Sequence, residues 1–130
     1  MEYTKLNFTI YQGEDREIYL SFFNTVNNEK QKIDLTNSKF IMTIRAGINQ
    51  SIIDELSSDN KRIKLGLYTD SGFIESNESP NTLQLIFTNN ITEKYNIPTM
   101  VYDIFRYDNN KKELLIFGNI NILKSVLNND

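Results

Sequence analysis

The sequence predicts an all-β protein: an antiparallel two-sheet β-sandwich with immunoglobulin-like layering, about seven to nine short strands and at most one short helix near 90–97. Three observations carry this. Apolar residues recur at every second position in several stretches, the period of a strand with one buried face. Clusters of Asn, Ser, Asp and Gly interrupt those stretches at sandwich-like intervals. The composition is anti-helical, with 18 Asn and 17 Ile against a single alanine, Ala46. Alanine is the best helix former, Asn favours turns and Ile favours strands. The same bias suits an AT-rich genome.

In chain order, KLNFTIY places Leu6, Phe8 and Ile10 on one face. A turn around Gly13 follows. REIYLSFFN then sets Ile18, Leu20 and Phe22 against Glu17, Tyr19 and Ser21. Val26 to Lys32 reads as a polar turn. Ile33 and Leu35 lead into a turn at Thr36-Asn37-Ser38, and KFIMTIRAG sets Phe40, Met42 and Ile44 against Ile41, Thr43 and Arg45. SIIDEL is read as a strand or bulged extension, with one helical turn as the alternative, before a strand at RIKLGLY. Thr69 to Asn81 has the Gly, Ser, Asn and Pro content of an exposed loop. TLQLIFT alternates Leu83, Leu85 and Phe87. NNITEKYNIP is the one helix candidate, stopped by Pro98. TMVYDIFRYD sets Val101, Asp103, Phe105 and Tyr107 against Met100, Tyr102, Ile104 and Arg106. The phase of Val101 and Phe105 would aim Asp103 inward. Asn109-Asn110 forms a hairpin tip. In the last strand Leu114, Ile116, Ile120 and Ile122 share a face with Gly118, a bulge or a close backbone approach. Residues 1–130 read as one domain, with 126–130 a frayed tail.

Composition excludes whole classes of chemistry. There is no Cys and no His, so thiolate nucleophiles, Cys/His zinc sites and histidine triads are impossible. The net charge of −3 counts against a nucleic-acid surface. No apolar run approaches the roughly 20 residues that cross a membrane, and MEYTKLNF lacks signal-peptide character, so the expected site of synthesis is the cytoplasm. There is no phosphate loop, dinucleotide fingerprint or nucleophile elbow.

Carboxylates are the remaining candidates. Glu14, Asp15 and Glu17 crowd around Gly13, but their spacing matches no calcium loop, and they read as the charged rim of a turn. Asp54 and Glu55 are adjacent on a strand and point to opposite faces. An inward Asp103 needs a partner, for which Arg45 and backbone amides are the candidates. Eight Phe and seven Tyr, among them Tyr11, Tyr19, Tyr68, Tyr102 and Tyr107, offer either stacking platforms or cross-strand and interface packing.

Read in order, FTIYQGEDREIYLSFF, KIDLTNSKFIMTIRAG, TLQLIFTNNIT, VYDIFRYDNN and LLIFGNINILKSV resemble a small β-sandwich module of tailed-bacteriophage virion structural proteins. The matching positions are Gln12 and Gly13, then Ile33-Asp34-Leu35-Thr36, Met42 with Arg45, Tyr102-Asp103, and Gly118. The chain departs from that pattern at Lys32, where proline is usual, at Asn37, which replaces a glycine, and at the C-terminal Lys124-Ser125-Val126-Leu127.

The resemblance implies a structural component of the virion, in the head–tail connector, collar, baseplate or fibre-attachment region of a tail. Such a protein is non-enzymatic, has no cofactor or metal, and docks on other virion proteins and on copies of itself. It is made in the host cytoplasm. A carbohydrate- or host-surface-binding module is the alternative. A carboxylate enzyme ranks below both, because no pair has a supported geometry.

Overall fold

The computed structural model describes residues 4–124, and in it the alternating stretches become strands. In chain order these are β1 (Thr4–Lys5), β2 (Phe8–Tyr11), β3 (Arg16–Ser21), β4 (Phe23–Val26), β5 (Glu29–Lys32) and β6 (Lys39–Arg45). β7 (Ile52–Ser57), β8 (Ile63–Thr69), β9 (Gly72–Glu75) and β10 (Thr82–Phe87) follow. A single turn of helix, α1 (Asn89–Thr92), precedes β11 (Thr99–Asp108) and β12 (Lys111–Leu123). The larger sheet has the order β1-β12-β11-β6-β7, with β2 also on β12; the smaller is β3-β10-β8-β9. The β4–β5 hairpin stands apart from both.

The orders β12-β11-β6-β7 and β3-β10-β8 correspond to the G-F-C-C′ and B-E-D arrangements of an immunoglobulin-like sandwich. The N-terminal strand adds one feature, because β1 and β2 both run parallel to β12. Inward residues of the two sheets merge into one core. It contains Phe40, Met42 and Ile44 from β6, Leu83, Leu85 and Phe87 from β10, and Ile18 and Leu20 from β3. Each of these eight is at most 8% exposed, so the period-two reading of β3, β6 and β10 holds.

Several expectations need correction. Among the described residues twelve strand segments form rather than seven to nine, because β1 and β2 are pieces of one edge and two stretches read as turn and loop contain strands. Val26 to Lys32 lies in a tight hairpin whose two-residue tip, Asn27-Asn28, has φ of 52° and 65°. Asn tolerates these left-handed angles, which a type I′ turn requires. Within Thr69 to Asn81, β9 pairs back on β8. The helix occupies Asn89–Thr92, at the front of the predicted segment. SIIDEL is a bulged strand, as read, and Ile53 is its extra residue: Ile44 pairs Asp54, whereas Arg45 pairs Ile52. Leu6, expected inside with Phe8 and Ile10, is 38% exposed. The tail at 126–130 lies outside the described residues.

The phase of the last hairpin also differs. Met100, Tyr102 and Ile104 point inward, and Val101, Asp103 and Phe105 lie on the outer face. In β12, Phe105 pairs Leu114 and Ile104 pairs Ile116, which leaves Leu115 as a bulge. Leu115 and Ile116 are both buried as a result, and Leu114 turns outward. A bulge inverts the alternation beyond it. Gly118 marks a close approach, as one reading had it: a Cβ there would lie 1.9 Å from the Leu6 carbonyl oxygen.

Candidate docking surface

The three carboxylates around Gly13 are each tied to a structural partner. Glu14 Oε2 accepts the Tyr11 backbone N–H at 2.5 Å, and Asp15 accepts the N–H of Asn89 at the start of α1 at 2.7 Å. Glu17 accepts from the Tyr19 hydroxyl at 3.1 Å and from the Gln84 amide at 3.3 Å. Among the described residues no three acidic side chains gather as metal ligands would. The opening turn and α1 are stitched together here. The Gly13 N–H donates to Thr92 Oγ1, Thr92 Oγ1 donates to the Glu14 carbonyl, and the Gln12 amide donates to the carbonyls of Glu93 and Tyr95. Gly13 adopts φ 87°, where a side chain is strained.

One buried ionic cluster went unread in the sequence. The Arg62 guanidinium donates two hydrogen bonds to the Asp54 carboxylate, at 2.8 and 2.9 Å, and the Tyr95 hydroxyl donates to Asp54 Oδ2 at 2.5 Å. Both charged side chains are under 20% exposed. Burial alone would push the Asp54 carboxyl up, but the hydrogen bonds from Arg62 and Tyr95 and the guanidinium charge outweigh it and hold it below the usual range. Burial and the Asp54 carboxylate push the Tyr95 hydroxyl up, so it stays protonated as a donor. As expected, Asp54 and Glu55 diverge: Asp54 pairs with the inward Ile44, and Glu55 is exposed. The cluster joins β7, the β7–β8 crossover and the segment after α1. It is a polar plug at one end of the sandwich.

The residues of the virion-module pattern lie at five separate places. Gln12 and Gly13 hold α1. Ile33-Asp34-Leu35-Thr36 forms a turn in which Asp34 accepts from the Thr36 N–H at 2.9 Å and from its hydroxyl. Those Thr36 bonds keep the Asp34 carboxyl below its ordinary value. Leu35 is fully buried, and Asn37 takes φ 61°, which substitutes for glycine. Met42 is core. Tyr102 and Gly118 pair across β11 and β12 and together receive the N-terminal strand. The Tyr102 hydroxyl donates to the Leu6 carbonyl at 2.6 Å, and its ring stacks on Phe8. Arg45 and Asp103, the fifth group, share the outer face of the larger sheet.

That outer face is the most distinctive surface. Antiparallel register sets its rows: Asn119–Val101–Arg45, then Phe117–Asp103–Thr43, then Leu114–Phe105–Ile41. A shallow depression of ≈ 250 Å³ opens over it, with Ile48, 80% exposed, at its rim. Val101, Phe105 and Phe117 therefore flank one carboxylate on three sides, with Thr43 on the fourth. Its partial burial among them pushes the Asp103 carboxyl up, against the pull of Arg45 and Lys112. The expectation of an inward Asp103 is thus overturned. Both alternating sets of β11 are largely apolar and each carries a charge, Arg106 in the inward set and Asp103 in the outward one. Arg45 steadies its guanidinium by donating to the Gln50 carbonyl at 2.9 Å.

The outer face of the smaller sheet differs. Tyr19 packs edge-on against Tyr68 at 5.2 Å and tilts 39° to Phe73 at 5.5 Å. The Phe73 ring lies over Gly66, in space a side chain there would fill. These rings pack on one another instead of forming a flat platform. A groove of ≈ 840 Å³ separates the free edges of β1 and β3, with Leu6, Leu20, Phe22 and Phe23 among its walls. No protein-family model matches this chain, and no curated protein matches it.

Proposed function

We propose that this chain is a non-enzymatic structural component of a tailed-phage virion that works by docking on neighbouring virion proteins. The observation that carries this reading is the outer face of the larger sheet. Val101, Phe105, Leu114, Phe117 and Ile41 sit together there at partial or full exposure. Aromatic residues are enriched in protein interfaces, and this face presents Phe105 and Phe117. The ordered match of Gln12-Gly13, Ile33-Asp34-Leu35-Thr36, Tyr102-Asp103 and Gly118 to the virion module supplies the particle context. Among the described residues β3 and β7 are edge strands, which add places where backbone can pair with a neighbour. Mass spectrometry of particles from the source that encodes this chain tests the reading. The chain is expected at fixed stoichiometry with other virion proteins, and its absence would overturn the proposal.

The Tyr19–Tyr68–Phe73 cluster, flanked by the polar Gln84 and Glu17, supports a carbohydrate- or host-surface-binding module as the second reading. Binding of the purified chain to a glycan array, lost on Tyr68→Ala, would favour it over the first.

A further inference from the structure

We propose that the outer face of the larger sheet is a self-interface: two copies stack by this face about a two-fold axis, with Asp103 of each set against Arg45 of the other. The proposal rests on the docking reading above and names the surface and the partner.

The argument starts from one carboxylate. Asp103 occupies the middle of an apolar face, and none of the ion pairs among the described residues includes it. Covering such a face with apolar surface alone would strand a charge, which is costly. The covering surface must therefore bring a cation to Asp103 and apolar groups to its neighbours. Lys112 is a poor candidate for that cation, because its ammonium already lies 4.4 Å from the Phe105 ring centroid. Arg45 lies on the same face and holds only one backbone carbonyl with its guanidinium. This face thus carries both halves of the contact it requires.

Register makes the two halves reciprocal. Asp103 pairs Thr43 and Val101 pairs Arg45, so the four residues form a rectangle of roughly 4.8 by 6.8 Å with Asp103 and Arg45 at opposite corners. In a two-fold interface, if residue i meets residue j then j meets i. An axis in the interface plane, crossing the Asp103–Arg45 diagonal at its midpoint and at right angles, sets each carboxylate over the partner copy's guanidinium. The same operation carries the Phe105 and Phe117 side of one copy onto the β6–β7 end of the other, where Ile48 and Ile52 are exposed. Planar, bidentate Arg–carboxylate contacts suit a desolvated setting of this kind.

Sedimentation equilibrium on the full chain tests this. The wild-type chain is expected to dimerise. Asp103→Arg and Arg45→Asp, each folded by circular dichroism, should dimerise roughly a hundredfold more weakly, because each places like charges together. An equimolar mixture of the two variants should recover dimers, since every contact is again opposite in sign. A wild-type chain that stays monomeric, variants that dimerise as wild type does, or a mixture that fails to pair would each overturn the self-interface. A monomer that is still found in particles would do so while leaving the virion reading intact. A dimer absent from particles would uphold the interface and sink that reading.

Discussion

Asp54 and Asp103 are the same residue in opposite settings, and pH should tell them apart. Asp54 has its carboxyl lowered by Arg62 and Tyr95. A lowered carboxyl contributes stability above its unfolded value, near 3.8, and loses it as pH falls through the folded value. Asp54→Asn removes the ion pair and leaves the buried guanidinium short of a partner. We expect it to cost about 2–3 kcal/mol at pH 7 in urea denaturation. That deficit should shrink as pH drops below 3.8, where wild type loses its advantage. Asp103 has the reverse sign. Its carboxyl is raised by partial burial, so ionisation penalises the fold once pH rises through the raised value. Asp103→Asn should therefore raise monomer stability at pH 7 by about 0.5 kcal/mol, a small value because the site is partly solvated. No gain should remain at pH 3. Melting at low protein concentration, where self-association does not contribute, measures both effects.

At the scale of elements, the N-terminal strand depends on a missing side chain. Leu6 passes so close to Gly118 that its carbonyl occupies the position of a Cβ. There it accepts the Tyr102 hydroxyl, while Asn7 accepts the Asn119 N–H. Gly118→Ala should push β1 and β2 off β12 and cost about 3 kcal/mol, at the upper end for overpacking. Hydrogen exchange is expected to localise the loss to Leu6–Tyr11, with the centre of β6 and β10 still protected. A protected N-terminal strand in the variant would contradict this. Asn109-Asn110 was readable as a hairpin tip with positive φ, and φ of 46° and 68° bear this out. Asn27-Asn28 carries the same dipeptide but flanks polar strands, so its hairpin left no hydrophobic signature.

At the scale of the whole molecule, residues from both sheets build a single core. The Asp54–Arg62–Tyr95 cluster closes one end of it. Arg106 closes another region by donating to Ser38 Oγ at 2.8 Å and to the Asp34 carbonyl at 3.2 Å. With one core, neither sheet has an independent interior. Urea unfolding should thus be a single transition, coincident by far-ultraviolet dichroism and tyrosine fluorescence. Two separated transitions would mean that the sheets are not mutually dependent.

The amino-acid order by itself determined the fold class, the main strands and the turns that join them. Alternation and left-handed Asn or Gly positions are local properties, written over four to eight neighbouring residues. Tertiary structure alone decided which face of β11 looks inward, that Leu115 bulges, that the first strand runs parallel to the last, and that Arg62 and Tyr95 meet Asp54. In β11 both alternating sets are apolar enough to be buried, so the choice between them belongs to the opposing sheet. Arg62 follows Asp54 by eight residues across the β7–β8 crossover and Tyr95 lies 41 residues away, and only the crossing between sheets brings the three within hydrogen-bond reach.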